Sequence, residues 1–123
     1  MRRTITLLFA AGLLASTPIA AGAAGDTPGW KDVSAIFTKR CVMCHSAQGA
    51  GLDLRLDSYA AAIAGSRKGA VLIPGDAEAS ELIRRLRGVS APRMPFLSRP
   101  LPDEELDVIL RWVEAGLPET GGR

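Results

Sequence analysis

The sequence predicts a small all-α domain on the basis of three observations. The chain has 123 residues, which is enough for one domain and little more. Apolar side chains recur at helical spacing in several short segments. No segment shows convincing strand alternation. Residues 71–73 are compatible with an extended stretch, but they are too few to build a sheet.

The first 23 residues are predicted to be an export signal. Two arginines follow Met1, an apolar stretch covers residues 5–15, and an A-x-A cleavage site lies at 21–23. No charged residue occurs between Arg3 and Asp26, so an uncleaved membrane anchor is the alternative interpretation. We therefore expect a periplasmic protein that contacts a membrane only if this segment is retained.

Removal of the signal changes the charge balance. The full chain has 15 Lys and Arg residues against 13 Asp and Glu residues, and two of the basic residues lie in the signal. The mature chain is therefore formally neutral. This balance argues against a nucleic-acid-binding protein, which would carry a strong basic excess.

The first two helices follow a flexible lead-in at residues 24–29. Helix 32–41 places Val33, Ile36 and Phe37 on one face, with Asp32 as its N-cap or first-turn acid. Helix 58–64 is rich in alanine and ends at Gly65.

Two more helices complete the domain, which we place at residues 30–118 with a tail at 119–123. Asp76 is predicted to cap a helix that carries Leu82 and Leu86 and stops at Gly88. The last helix begins near Pro102 with three acidic residues in its first turn. These short helices give a thin core, and such a domain usually requires a disulfide, a metal or a large buried ligand.

The two cysteines and the single histidine of the chain fall in one pentapeptide, Cys41-Val42-Met43-Cys44-His45. Cys-x-x-Cys-His is the attachment signature of haem c. Cysteines three residues apart on a helical turn project to the same side and reach the two vinyl groups of one porphyrin, while His45 binds the iron. The motif therefore predicts one covalently attached haem c, whose apolar disc supplies the missing core.

Three other kinds of site use part of this motif. A thioredoxin-like redox pair uses Cys-x-x-Cys but requires a βαβ context, which the chain lacks. A zinc site requires four protein ligands, one more than the motif offers. A disulfide across two residues closes too small a loop to stabilise the fold much, and it leaves His45 without a role.

Elimination favours Met94 as the second axial ligand. The chain has no second histidine, Met1 is lost with the signal, and Met43 is held between the two cysteines on the proximal side. Met94 lies between two prolines that stiffen its loop, and His/Met ligation is expected of an electron-carrying haem c. The alternatives are a gap-filling core role for Met94 and a sixth site that is open or taken by Lys68 or the mature N-terminus.

Further motifs resemble a known family. The attachment motif after an aromatic-bearing helix, a distal Met-Pro pair and a C-terminal helix with an aromatic residue are similar to class I cytochrome c. Five motifs within residues 30–117 resemble the planctomycete-type cytochrome c domain more narrowly: Gly51-Leu-Asp-Leu54, Ile73-Pro-Gly75, Ser80-Glu-Leu82, Met94-Pro95 and Arg111-Trp-Val-Glu-Ala-Gly116.

The resemblance implies a small cytochrome c fold with four or so short helices wrapped around the haem. The first and last helices would cross so that Phe37 and Trp112 meet. A backbone carbonyl would accept a hydrogen bond from Nδ1–H of His45. Pro74 is the candidate residue for that carbonyl, and the alternative is that Pro74 is an ordinary turn proline. Pro102 departs from the family, which usually has a Ser or Thr helix cap there.

Three cations are candidates for the haem propionates: Arg67, Lys68 and Arg93. Arginine pairs well with carboxylates, and the alternative for each residue is a solvated surface charge.

The function that these features imply is a single-haem, one-electron carrier or the cytochrome subunit of an oxidoreductase, rather than an enzyme by itself. Its partners would be a dehydrogenase, an oxidase or another cytochrome. A haem-based sensor or binder of NO, CO or O₂ with a labile sixth ligand is the alternative. Five arginines between residues 84 and 99 have no acid among them, which predicts a partner with an acidic docking surface or simply a solvated basic face.

Overall fold

A computed structural model describes residues 25–122, and in this range four α-helices and one small hairpin are present. The elements are α1 (Trp30–Arg40), β1 (His45–Ser46), β2 (Gly49–Ala50), α2 (Tyr59–Ala64), α3 (Glu81–Arg87) and α4 (Asp103–Glu114), with a 3-10 turn at Gly51–Asp53. The domain is mostly helical, as predicted, but the antiparallel hairpin means that it is not purely α. The predicted export signal lies outside the described residues.

The core forms where α1 packs against α4. Phe37 and Trp112 are fully buried and meet edge to face, with ring centres 6.4 Å apart, as the resemblance implies. Trp30 lies before the predicted start of the first helix and joins this contact. Its ring centre is 5.8 Å from that of Phe37 and 5.9 Å from that of Trp112. Its ring also lies 5.8 Å from that of Tyr59. Both tryptophans and the single tyrosine therefore serve one cluster, which supplies the large anchors of the core.

The start of α1 lies earlier than predicted. Gly29 precedes the helix and donates its N–H to Oδ2 of Asp32 at 2.9 Å. Asp32 is therefore a first-turn acid inside the helix, where a negative charge favours the helix N-terminus.

The predicted cap of the third helix is wrong. Oδ1 of Asp76 accepts the N–H of Ala79 at 2.9 Å and closes a separate turn, and α3 begins only at Glu81. Between them lies Ser80, whose buried hydroxyl donates to the carbonyl of Asp76 at 2.7 Å and accepts the N–H of Ile73 at 2.8 Å. The hydroxyl satisfies the backbone of this turn, so the chain forms a compact corner there instead of an extra turn of helix.

The lead-in and the tail are paired with each other. Thr27 and Gly122 exchange backbone hydrogen bonds at 2.9 and 3.1 Å, and the N–H of Trp30 donates to the carbonyl of Glu119 at 3.0 Å. A Cβ at Gly29 would stand 2.3 Å from the backbone N of Gly121, so only glycine permits this approach. The folded unit therefore includes both segments. No helix between residues 25 and 122 is long and apolar enough to span a bilayer.

A charged contact joins the end of α1 to the first turn of α4. Nε and Nη2 of Arg40 donate to the two carboxylate oxygens of Glu105 at 2.7 and 2.9 Å, and Nζ of Lys39 adds a contact at 3.2 Å. These hydrogen bonds, chiefly the one from Arg40, hold the pKa of Glu105 below its usual value of 4.5. Because Arg40 directly precedes Cys41, the pair fixes the point at which the attachment motif leaves α1.

Glu105→Gln is expected to lower the free energy of unfolding at neutral pH, by an amount that shrinks on acidification. The folded state depresses the pKa of Glu105, so its contribution is complete above the unfolded pKa and is lost as the pH falls through the folded one. Urea unfolding from about pH 7 to about pH 3 measures the difference from the wild type. The control is Glu104→Gln, at an exposed neighbour, and it should stay close to the wild type. A difference that is constant with pH would contradict this prediction.

Candidate haem-attachment site

The attachment motif forms a hydrogen-bonded turn directly after α1. The N–H groups of Cys41 and Val42 both donate to the carbonyl of Phe37, at 2.8 and 2.9 Å. Those of Cys44 and His45 donate to the carbonyl of Cys41, at 3.0 and 2.9 Å. The turn thus brings both cysteines and the histidine onto one short piece of chain that is anchored in the core through the buried Phe37.

One imidazole nitrogen of His45 is engaged and the other is available. Nδ1 lies 3.2 Å from the carbonyl oxygen of Leu54. Because a carbonyl can only accept, Nδ1 is the donor of this hydrogen bond, and in the neutral imidazole Nε2 then presents a lone pair. The backbone is fixed as well, since the carbonyl of His45 accepts the N–H of Leu56 at 2.8 Å. An imidazole oriented in this way is what a metal-ligating histidine requires.

The Leu54 carbonyl reaches His45 because the chain turns sharply after β2. Leu52 and Asp53 have φ angles of 56° and 59°, in the left-handed region, and the N–H of Leu54 closes back on the carbonyl of Gly51 at 3.1 Å. A Cβ at Gly51 would lie 3.5 Å from Cε1 of His45, so a side chain there would start against the imidazole. We call residues 51–54 the acceptor loop, since they place the acceptor for Nδ1.

The prediction that Pro74 supplies this acceptor is wrong. Pro74 is exposed, and the next residue, Gly75, donates its N–H to the carbonyl of Val113 at 2.8 Å. The Pro-Gly turn therefore packs against the end of α4, and Leu54 takes the role that was assigned to Pro74. Sequence reasoning missed Leu54 because any residue has a carbonyl; the one available signal was the Gly-Leu-Asp-Leu motif itself.

The two cysteines are free thiols in different surroundings. Cys41 is half-buried and Cys44 is exposed. Burial raises the pKa of the Cys41 thiol to about 11, so this thiol is neutral at physiological pH. Redox-active Cys-x-x-Cys pairs depend on a cysteine with a lowered pKa. The surroundings of Cys41 therefore argue against a thioredoxin-like role.

Met94 lies on the long loop between α3 and α4. Its side chain is half-buried and packs against the core, and its N–H donates to the carbonyl of Arg85 at 3.0 Å. The side chain of Arg85 holds the same loop through a hydrogen bond to the carbonyl of Pro92 at 3.3 Å. The loop is thus tied to the last turn of α3 at Met94. Its role as the second axial ligand stays a prediction.

The structure gives one of the three predicted propionate cations a carboxylate partner. Nε of Arg67 lies 3.2 Å from Oδ2 of Asp53, and both side chains are largely exposed. The backbone N–H of Arg67 also donates to the acceptor loop at 2.9 Å, so this residue lies beside the segment that orients the histidine. Lys68 and Arg93 are exposed and form no ion pair within residues 25–122. Propionate binding stays a prediction for all three.

The arginine run is less basic in the fold than in the sequence. Two glutamates just before it pair with its first three members and offset two of their three positive charges. The pairs are Arg84–Glu81 at 3.5 Å, Arg85–Glu81 at 2.6 Å and Arg87–Glu78. Only Arg93 and Arg99 have no carboxylate partner in the described part of the chain.

The residues of this site fit a covalently attached haem. Two thiols, an oriented imidazole with a free Nε2 and a thioether on a tethered loop are the donor set of a His/Met haem c. Two shallow grooves of the described surface are lined by residues of α1 and α4, and neither contains a residue of this donor set. Within residues 25–122 no group of three or more His, Cys, Asp or Glu side chains is arranged to hold a metal ion.

The comparison with protein families supports the same assignment. Residues 41–95 match the family described as Planctomycete cytochrome C, a stretch that begins at Cys41 and ends one residue after Met94. No curated protein and no solved structure matches the chain. The predicted resemblance is confirmed over this stretch: residues 41–95 are similar to a planctomycete-type cytochrome c domain, and this similarity indicates a haem-binding electron-transfer protein.

Proposed function

We propose that this protein is a periplasmic one-electron carrier with a single haem c, bound through thioethers to Cys41 and Cys44 and through axial bonds to His45 and Met94. It passes electrons between redox partner proteins or serves as the cytochrome subunit of an oxidoreductase, and it is not an enzyme by itself. The observation that supports this most directly is the 3.2 Å contact between Nδ1 of His45 and the carbonyl of Leu54, which orients the imidazole and leaves Nε2 available to bind iron.

When bound, haem c supplies a couple between the ferric and ferrous states that exchanges one electron at a time. The residues of the chain hold and tune that couple. Leu54 keeps His45 in one tautomer and raises its basicity by accepting the Nδ1 proton. The thioether of Met94 is a soft donor that raises the reduction potential. The tie between Met94 and Arg85 limits the motion of the loop and so reduces the entropy lost on ligation.

The proposed periplasmic location rests on the predicted export signal at residues 1–23. Cleavage after Ala23 gives a soluble carrier, and retention of the segment gives a carrier anchored on the periplasmic face of the membrane. In both cases the haem domain meets its partners in the same compartment.

Met94→Ala tests the ligation. The ferric wild-type protein should be low-spin, with the weak long-wavelength band of a sulfur-to-iron bond, and Met94→Ala should lose that band and have a lower reduction potential. Absorption spectra and a redox titration of the purified protein measure both effects. Met43→Ala is the matched control, because Met43 is 92% exposed between the two cysteines, and it should keep the band.

Two outcomes would contradict this ligation. A high-spin wild-type spectrum would favour the sensor or small-ligand protein, in which NO, CO or O₂ takes the sixth position. A low-spin spectrum that Met94→Ala leaves unchanged would point to another sixth ligand, such as Lys68 or the mature N-terminus.

A further inference from the structure

The loop that carries Met94 ends in a turn whose tip is apolar and exposed. The N–H of Ser98 donates to the carbonyl of Pro95 at 3.2 Å, which places Phe96 and Leu97 at the two central positions of a four-residue turn. The side chain of Phe96 is 60% exposed and that of Leu97 is 92% exposed. These two residues therefore contribute little to the core.

The exposed tip also has an unfavourable backbone conformation. Leu97 has a φ of 55°, in the left-handed region, at a turn position that suits glycine or asparagine. A leucine there costs conformational energy and gains almost no burial. Packing among residues 25–122 does not explain it, and strained residues of this kind cluster where proteins bind ligands or partners.

The tip also carries a positive charge. Arg99 is exposed and forms no ion pair with any residue from 25 to 122. No acidic residue occurs between Glu81 and Asp103, so the loop has no negative charge of its own. The arginines of α3, in contrast, are paired with the glutamates that precede them. An apolar pair beside one unpaired cation is complementary to an apolar patch bordered by carboxylates.

We propose that Phe96, Leu97 and Arg99, which we call the tip surface, are the docking site for a redox partner protein with a carboxylate-bordered apolar patch. The inference rests on the proposed electron-carrier function. Leu97 is three residues after Met94, so their Cα atoms are at most about 11 Å apart along the chain. Docking at the tip therefore brings the partner close to the proposed iron ligand. A membrane is a poorer match, since anionic lipid surfaces recognise clusters of four or more cations.

The test uses a defined surface in place of the partner. A gold electrode coated with a mixed monolayer of methyl- and carboxyl-terminated thiols presents apolar groups beside carboxylates. Voltammetry of the haem-loaded protein at this electrode measures adsorption and the rate of electron transfer at low and high salt. The variants are Leu97→Asn, which suits the left-handed backbone, and Arg99→Gln, and Lys31→Gln removes an exposed cation from α1 as the matched control.

At low salt we expect Leu97→Asn and Arg99→Gln each to weaken adsorption at least about threefold, with no change for Lys31→Gln. The Arg99→Gln effect should disappear at high salt because screening removes it, whereas the Leu97→Asn effect should remain. The melting temperature of Leu97→Asn should equal or exceed that of the wild type, since the substitution relieves strain.

Several results would overturn the docking assignment. Adsorption unchanged in both variants would do so, and so would a shifted reduction potential or haem loss in Leu97→Asn, because that side chain would then pack on the cofactor. Binding to phosphatidylglycerol vesicles that is abolished by Leu97→Asn would replace the partner protein by a membrane. All of these leave the carrier function intact if the wild type shows a reversible one-electron couple. A wild type without that couple would refute the proposed function itself.

Discussion

A variant with serine at both Cys41 and Cys44 is expected to retain no haem after denaturation. Only thiols can form the two thioethers that hold the group covalently, and the chain has no further cysteine to replace them. The purified protein is separated on a denaturing gel and stained for haem. The wild type should stain, and the double variant should lose the signal completely.

The matched control for this experiment is Met43→Leu, inside the same motif. Met43 is 92% exposed and has no thiol with which to form a thioether, so this variant should stain like the wild type. Haem that stays with the double serine variant would show that the attachment is elsewhere. Loss of haem in Met43→Leu would show that any change in the motif prevents attachment, and the result for the cysteines would then carry no specific meaning.

Trp112→Ala is expected to destabilise the protein by about 3–5 kcal/mol, the usual cost of truncating a large buried aromatic side chain. Trp112 is fully buried and packs against both Trp30 and Phe37. Its Nε1 also donates to the carbonyl of Pro118 at 2.9 Å, so the truncation removes a hydrogen bond together with the ring. Denaturant unfolding of the haem-loaded protein, followed by circular dichroism, measures the change in the free energy of unfolding.

Trp112→Phe separates the two contributions. It keeps an aromatic ring in the core but loses the donor to Pro118, so its destabilisation should fall clearly below that of Trp112→Ala. An alanine variant within about 0.5 kcal/mol of the wild type, as is usual for surface substitutions, would contradict the central place of this residue in the core.

The parts of the fold that can be predicted from the sequence are those that depend on residues close together along the chain. The attachment pentapeptide needs only its own five residues to be recognised. The meeting of Phe37 with Trp112 follows from the family resemblance together with helical spacing. The left-handed Gly88, with a φ of 74°, ends α3 as predicted because glycine has no side-chain penalty in that conformation.

The acceptor of the His45 proton could not be predicted in the same way. It is a backbone carbonyl, and its position depends on the left-handed backbone of Leu52 and Asp53, a conformation that leucine disfavours and aspartate adopts only occasionally. A proline in a familiar turn was the more visible candidate. The Pro74 turn is instead held by Val113, a contact between residues far apart in the sequence.

Long-range pairing also holds the two ends of the domain together, which the sequence does not predict. The hydrogen bonds between Thr27 and Gly122 join segments that look flexible when each is taken alone. The ion pairs of Glu81 are a different case, since Arg84 and Arg85 follow it by three and four residues, the spacing at which helical side chains meet. The position of Glu81 before the arginines is therefore enough to predict these two pairs from the sequence.

The most direct test of the account is the mass of the purified protein under denaturing conditions. This mass shows directly whether one haem is covalently attached to an exported chain. We expect the mass of residues 24–123 plus one haem, recovered from the periplasmic fraction. A mass that includes residues 1–23 together with one haem would change only the mode of membrane attachment. The mass of the bare polypeptide, obtained from cells that produce other c-type cytochromes normally, would contradict covalent attachment.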